Sequence, residues 1–205
     1  MKIIICAAGL LILAGCKRAE ESATIPDSIA QPATHDTVSH DVAAAPLTCG
    51  ISGKPILTEQ GLGQLALGRS VRDVRSLCDV VSDSQEQGIE GMPERVVVTH
   101  IGDENVRSIV VDDKIWRLEI TSPHFRTADS LGVDTPLRKL ARMKGAQFFP
   151  GEDGVYGFVD DHCGLSFRFS VPMRPPKGGQ WTAAAIEKSH GDAAVDRVLV
   201  TRCAR

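Results

Sequence analysis

The chain has 205 residues and a formal net charge of −3, with Lys and Arg interspersed among Asp and Glu. No basic stripe of the kind a nucleic-acid surface needs is present, so no nucleic-acid partner is expected. Only 4% of the residues are aromatic, so a core must be built from Val, Leu and Ile, which favour strands.

The amino terminus reads Met1-Lys2 and then an apolar run from Ile3 to Leu13. That run is too short to span a bilayer, which takes roughly 20 apolar residues, but it fits the core of an export signal ending at small residues. The end, Leu13-Ala14-Gly15-Cys16, resembles the lipobox of bacterial lipoproteins. The resemblance implies that residues 1–15 are a signal peptide and that Cys16 becomes the first mature residue. Its sulfur would carry diacylglycerol and its amine a further acyl chain such as palmitate. Two or three chains anchor firmly where one holds marginally, so the expected location is the cell envelope, with the lipid bilayer as first partner. Lys17 follows, not Asp, which resembles the pattern that lets a lipoprotein reach the outer membrane, facing the periplasm, in a two-membrane host.

Residues 17–47 hold Ala, Ser, Thr, Asp, His and Pro with no aromatic and no sustained apolar period. They cannot offset the entropy of ordering, and residues 16–47 are expected to be a lipidated cysteine with a flexible tether, spanning on the order of 30 Å. The pairs His35-Asp36 and His40-Asp41 read as solvated linker residues, because nothing there fixes a metal geometry.

Residues 48–205 are expected to form one globular domain. Cys6 leaves with the signal and Cys16 is lipidated, so Cys49, Cys78, Cys163 and Cys203 remain. Export makes disulfides the default. Of three pairings, the expected one joins Cys49 to Cys78, at the end of the first helix, and Cys163 to Cys203, tying the last strand to one beginning near Gly164. Each is worth roughly 3 to 4 kcal/mol by the loop-entropy model. No Cys-x-x-Cys spacing supports a metal site, and Asp160-Asp161-His162-Cys163 is a short cluster without a second half; no metal and no cofactor are expected.

Ser70 as N-cap, Asp73 three residues later, and Val71, Val74 and Leu77 on one face predict a short amphipathic helix. Thr135 as cap, Pro136 in first position and Leu137, Leu140 and Met143 at the same spacing predict a second. Glycine-bearing turns, Gly61-Leu62-Gly63 and Ser130-Leu131-Gly132, precede the two helices. Strands are expected over 95–101, 106–112 and 115–121 after the first helix, and over 155–159, 165–171 and 196–202 after the second. A third helix is expected near 182–189, behind a Pro/Gly-rich loop at 172–179. In 115–121, Trp116, Leu118 and Ile120 alternate with Arg117, Glu119 and Thr121, giving one dry and one wet side. Links as short as Gly102-Asp103-Glu104-Asn105 allow only antiparallel neighbours. The expected fold class is α+β: two helix-plus-three-strand repeats forming one antiparallel sheet packed by short helices.

The element Gly68-Arg69-Ser70-Val71-Arg72-Asp73-Val74 resembles the short motif of the SmpA/OmlA lipoproteins of outer-membrane assembly. It is similar, too, to the tandem units of beta-lactamase inhibitor proteins, and the segment Thr121 to Val133 looks like one met in uncharacterised bacterial secreted proteins of the same layout. These resemblances imply short helices set against an antiparallel sheet over residues 61–203, and, from the inhibitors, an enzyme bound by the open sheet face.

His100, His124, His162 and His190 with nearby Asp residues, and Ser122 or Ser166, are the candidate catalytic groups. None sits in a nucleophile elbow, a His-Glu-x-x-His helix or a phosphate loop, so no catalytic residue is assigned. The leading expectation is a non-catalytic envelope lipoprotein that binds an unidentified envelope protein, with Trp116, His124 and Arg126 as candidate contacts. The alternative is a small periplasmic hydrolase or ligand-binding protein with a His/Asp site between the repeats. A convergent His/Asp pocket would favour the alternative, and an exposed sheet face carrying aromatic residues the leading reading.

Overall fold

The computed structural model describes residues 48–88, 91–172, 174–175 and 181–203. The signal segment, Cys16, the tether and part of the 172–179 loop lie outside the described residues.

The chain enters through a small hairpin, β1 (Gly61–Leu62) and β2 (Leu65–Ala66). Gly61 sits at φ +135°, and a Cβ there would meet the Leu65 carbonyl at 2.2 Å, so only glycine fits the turn. Helix α1 (Val71–Leu77) follows, with the Ser70 hydroxyl accepting the Asp73 N–H at 3.1 Å as the capping pattern requires. Val71 and Val74 are buried, whereas Leu77 is 38% exposed. The helix ends there, and the inner position passes to Cys78, which is bonded to buried Cys49.

Four antiparallel strands come next: β3 (Asp79–Gln87), β4 (Pro93–Ile101), β5 (Glu104–Val111) and β6 (Lys114–Ile120). The turn between β5 and β6 holds Asp112 and Asp113 at φ 50° and 58°, the left-handed pair that a tight hairpin needs and Asp tolerates. After loop 121–136 the chain forms α2 (Leu137–Ala141), β7 (Gln147–Pro150) and β8 (Val155–Phe158). A 3-10 turn at Asp160–His162, β9 (Leu165–Phe169), α3 (Ala183–His190) and β10 (Val195–Val200) complete it. The Thr182 hydroxyl caps α3, accepting from the Ala185 N–H at 3.2 Å.

The fold is mixed and strand-dominated, compatible with the α+β class: one eight-stranded antiparallel sheet in the order β3-β4-β5-β6-β10-β9-β8-β7, with a few short helices. Each half of the sheet has four strands where three were expected. The two missed strands, β3 and β7, are its edges. Their sequences, DVVSDSQEQ and QFFP, are polar or very short and end beside or in proline, features that blunt an edge and leave little periodic signal.

Partners in an antiparallel register share a face. Leu118, Ile120, Val198, Val200, Leu165 and Phe167 share one, and Leu137, Leu140 and Ile186 of α2 and α3 join them in the core. The first helix closes the same side through Val71 against Val97 and Val110. Backbone bonds tie each segment before a helix to the start of a central strand. In the first half Gly68 N–H donates to Ile115 O, Ile115 N–H to Arg69 O and Val71 N–H to Asp113 O; in the second, Asp134 N–H donates to Val195 O, Val195 N–H to Thr135 O and Leu137 N–H to Ala193 O.

Two local expectations are corrected. Thr135 does not cap α2: its hydroxyl accepts the Gly132 N–H at 3.0 Å and stabilises the preceding turn, while Pro136 takes the cap position with no side-chain bond. Trp116 does not share a side with Leu118 and Ile120. The pairing of β5 with β6 steps from Ile109↔Arg117 to Val110↔Ile115, so Trp116 is the extra residue of a β-bulge and is re-aimed outward.

Candidate functional site

Among the described residues, the helices all pack on one face of the sheet, and the other is covered only by its own side chains. Its centre is a lattice of arginines and carboxylates. Arg107 donates to Glu86 at 3.0 Å and to Glu119 at 3.3 Å, and Arg117 to Glu119 at 3.0 Å and to Glu94 at 3.4 Å. Burial works against the charge on Arg107, but the Glu86 and Glu119 carboxylates outweigh it and raise its pKa. On β9, Arg168 grips Asp196 through two bonds of 2.8 and 2.6 Å and also pairs with Asp153. Its hydrogen bond to Asp196 raises its pKa, while burial opposes. Burial pushes the Asp153 pKa upward, but bonds from Tyr156 and Arg168 outweigh it and the carboxyl is held below its ordinary value. Lattices of this kind, in which Arg168–Asp196 is the bidentate pair, fix side-chain geometry more than they add stability.

Between the two lattices lies a shallow depression of about 290 Å³ lined by Trp116, Tyr156, Leu199, Arg117, Glu94 and the loop acids Glu152 and Asp153. Trp116 is 49% exposed and Phe149, on edge strand β7, is 51% exposed. The Arg117 guanidinium stands 5.3 Å from the Trp116 ring centroid, and its buried Nε–H has no partner. The depression thus offers an apolar floor with an acidic rim.

Of the three contact residues nominated from sequence, Trp116, His124 and Arg126, only Trp116 lines this depression. His124 and Arg126 belong to the loop after β6. Arg126 is occupied with its own loop, its guanidinium donating to the Pro123 and Ser130 carbonyls at 3.1 and 3.4 Å. His124 is 73% exposed and contacts Glu104 at 2.5 Å. Tyr156, Phe149 and Leu199 were not nominated. Phe149 sits on an unrecognised edge strand, and for the other two the alternation within β8 and β10 was the available signal.

The candidate catalytic groups do not converge among the described residues. His100 faces Asp79 at 3.6 Å, His124 faces Glu104, and His162 faces Asp129 at 3.1 Å. Ser122, His124 and Glu104 form a suggestive trio, but Ser122 Oγ at 3.5 Å and Glu104 at 2.5 Å both meet the same ring nitrogen, Nδ1. A relay needs nucleophile and carboxylate on opposite nitrogens, and the Ser122 oxygen also accepts the His124 N–H at 3.1 Å. Ser166 is buried within β9. His190 lines a polar groove of about 690 Å³ between α2 and α3, where Arg138 pairs with Asp192 and Arg142 with Glu187.

The expected disulfides are both present, Cys49–Cys78 and Cys163–Cys203. The second stands beside Glu59; that carboxylate and the two sulfurs lie within 4.8 Å of one another. No helix among the described residues is long and apolar enough to cross a membrane.

No protein-family model matches the sequence, and no curated protein matches it. Among solved structures the chain is similar to the crystal structure of the uncharacterized protein yfeY from Escherichia coli. The two are 16% identical with a TM-score of 0.54, over 71% of this chain and 99% of that one. At that identity the likeness is one of fold: a large antiparallel sheet with few helices.

Proposed function

We propose that this chain is a lipid-anchored envelope lipoprotein that binds another protein, without catalysis, through the uncovered face of its sheet. The observation that carries the reading is the half exposure of two aromatics, Trp116 and Phe149, on a face that also carries ion-pair lattices. Exposed aromatics on a pre-organised surface are the usual anchors of protein recognition, since little side-chain entropy remains to be lost on binding. The acidic rim of Glu94, Glu152 and Asp153 favours a partner loop that brings a Lys or Arg over Trp116 with an aliphatic neighbour for the floor.

The two halves of the domain are proposed to be repeats of one helix-plus-strands unit, joined edge to edge at β6 and β10. The symmetric strand order supports this, as do the matched backbone bonds before α1 and α2. Gly68 at φ 81° and Asp134 at φ 66° both stand two residues ahead of a helix cap, so the aspartate takes over the left-handed position of the glycine. This layout agrees with the resemblance to SmpA/OmlA lipoproteins and beta-lactamase inhibitor proteins. The anchor is proposed to be Cys16, on the signal-like Ile3 to Leu13 run and Leu13-Ala14-Gly15-Cys16, with residues 17–47 holding the domain off the membrane, at the outer membrane's periplasmic side in a two-membrane host.

The test is affinity capture from detergent-solubilised envelopes with the wild-type chain and with a Trp116→Ala/Phe149→Ala variant. A stoichiometric partner is expected with wild type, and its recovery should drop at least about tenfold with the variant, since truncating an aromatic hot spot costs about 2 kcal/mol or more. Equal recovery, or no stoichiometric partner, overturns the reading.

A further inference from the structure

The short cluster Asp160-Asp161-His162-Cys163 acquires its missing half from two distant segments. Glu59, in the turn before β1, and Cys203, after β10, bring a carboxylate oxygen and a sulfur within 4.8 Å of the Cys163 sulfur and of each other. Gly164 allows the approach: a Cβ there would meet the Thr201 carbonyl at 2.8 Å and Glu59 Cβ at 3.2 Å. His162, next to Cys163 in sequence, stands at the edge of this group of three and is the fourth donor that the reduced site would call on. Its Nε2 lies 3.1 Å from an Asp129 carboxylate oxygen and its Nδ1 3.9 Å from the Glu59 carboxylate, so the tautomer that donates from Nε2 to Asp129 offers the Nδ1 lone pair to an ion. Asp129 is itself held by the Thr127 hydroxyl. A histidine whose second ring nitrogen donates to a fixed carboxylate is the arrangement that orients a metal ligand.

We infer that Glu59, His162, Cys163 and Cys203 form a redox-gated site for a zinc-class divalent cation, closed while the disulfide is intact. The donor set of two thiolates, one imidazole and one carboxylate suits zinc over the hard cations, which take oxygen ligands. Opening it needs a dithiol reductant, which transfers two electrons and two protons to the bridge, leaving two thiols and an oxidised dithiol. Binding the cation then displaces both thiol protons, and the sulfurs settle about 3.8 Å apart, as two thiolates at about 2.3 Å from a tetrahedral ion must.

The two bridges differ in access. Cys49 and Cys78 are buried, whereas Cys163 is exposed and Cys203 half-buried. A cavity of about 290 Å³ lined by Glu59, Gln60, Leu67, Arg202 and Cys203 opens beside the second bridge and gives reductant and ion a path in. The inference is independent of the protein-binding reading, because it uses neither Trp116 nor the ion-pair lattices.

The full chain, reduced with dithiothreitol without denaturant and desalted under argon, is titrated with Co2+ and then Zn2+. Reduction should expose two thiols beyond those of the unreduced chain, mapped by alkylation to Cys163 and Cys203. One equivalent of Co2+ should give the thiolate charge-transfer band and the visible spectrum of a tetrahedral ion, and Zn2+ should abolish both. The unreduced chain should give neither. Glu59→Gln, His162→Ala and Asp129→Asn should each weaken Co2+ binding about tenfold or more. Cys163→Ser/Cys203→Ser, which leaves Cys6 and Cys16 in place, should remove the signal. A reduced chain without the band, a band that persists in the double cysteine variant, or affinities unchanged by both Glu59→Gln and His162→Ala overturns the inference.

Discussion

Tyr156 is the only tyrosine in the chain, so its phenol can be titrated directly by absorbance. Burial pushes its pKa up to about 12, with the hydrogen bond to the Asp153 carboxylate acting in the same direction. The phenolate should therefore appear near pH 12 in the folded protein, and a midpoint near the ordinary 10.0 would mean that the depression beside Trp116 is wetter and its Asp153 contact absent. Asp83 reports on the helix side of the sheet. Its bonds from Arg95 and Arg75, at 2.7 Å each, lower its pKa from 3.8 to about 2, Arg95 first, against the opposing pull of burial. A carboxylate depressed in this way adds stability above pH 4, and loses it as pH falls through about 2. Because Arg75 is half exposed, screening reduces the effect. Asp83→Asn should cost about 1 kcal/mol at pH 7, with the gap to wild type closing between pH 4 and 2 in urea denaturation series.

Elements differed in how far the sequence disclosed them. The first helix was legible because its cap and apolar spacing lie within eight residues, Ser70 to Leu77. Strands β4, β5, β6, β8, β9 and β10 were legible because their residues alternate or run apolar against a real core. The edges β3 and β7 were not, since an edge strand is stabilised by its neighbour's backbone and carries no inward period of its own. The disulfides followed from the expected compartment and the cysteine count, whereas the face of Trp116 did not follow from alternation, because a single inserted residue reverses it from that point. The candidate surface was accordingly half visible: one aromatic was nominated, but the surrounding lattices pair residues up to 44 positions apart, which local pattern cannot reveal. The central strands also hold a testable oddity. The Thr99 and Ser108 hydroxyls are fully buried on β4 and β5 with no hydrogen-bond partner. Desolvating such a group without a bond costs about 1–3 kcal/mol, so Thr99→Val, nearly equal in shape, should raise stability by about 1 kcal/mol. A loss of that size by chemical denaturation would mean the hydroxyl is satisfied in solution.

At the scale of the whole molecule, the proposed lipid anchor at Cys16 precedes a domain with one covered sheet face and, among the described residues, one uncovered. The anchor makes its own prediction: Cys16→Ser should move the chain from the membrane to the soluble fraction on cell fractionation while leaving both disulfides formed, whereas retention on the membrane would contradict the proposed lipidation. The proposed function requires that a partner meet the uncovered face at the membrane. The most direct measurement is photo-crosslinking in intact cells, with a photoreactive residue placed at Phe149 on the uncovered face or at Lys188 on the helix face. The account predicts one discrete adduct from position 149 and none from position 188. Adducts of equal yield from both positions, or none from 149, would contradict it.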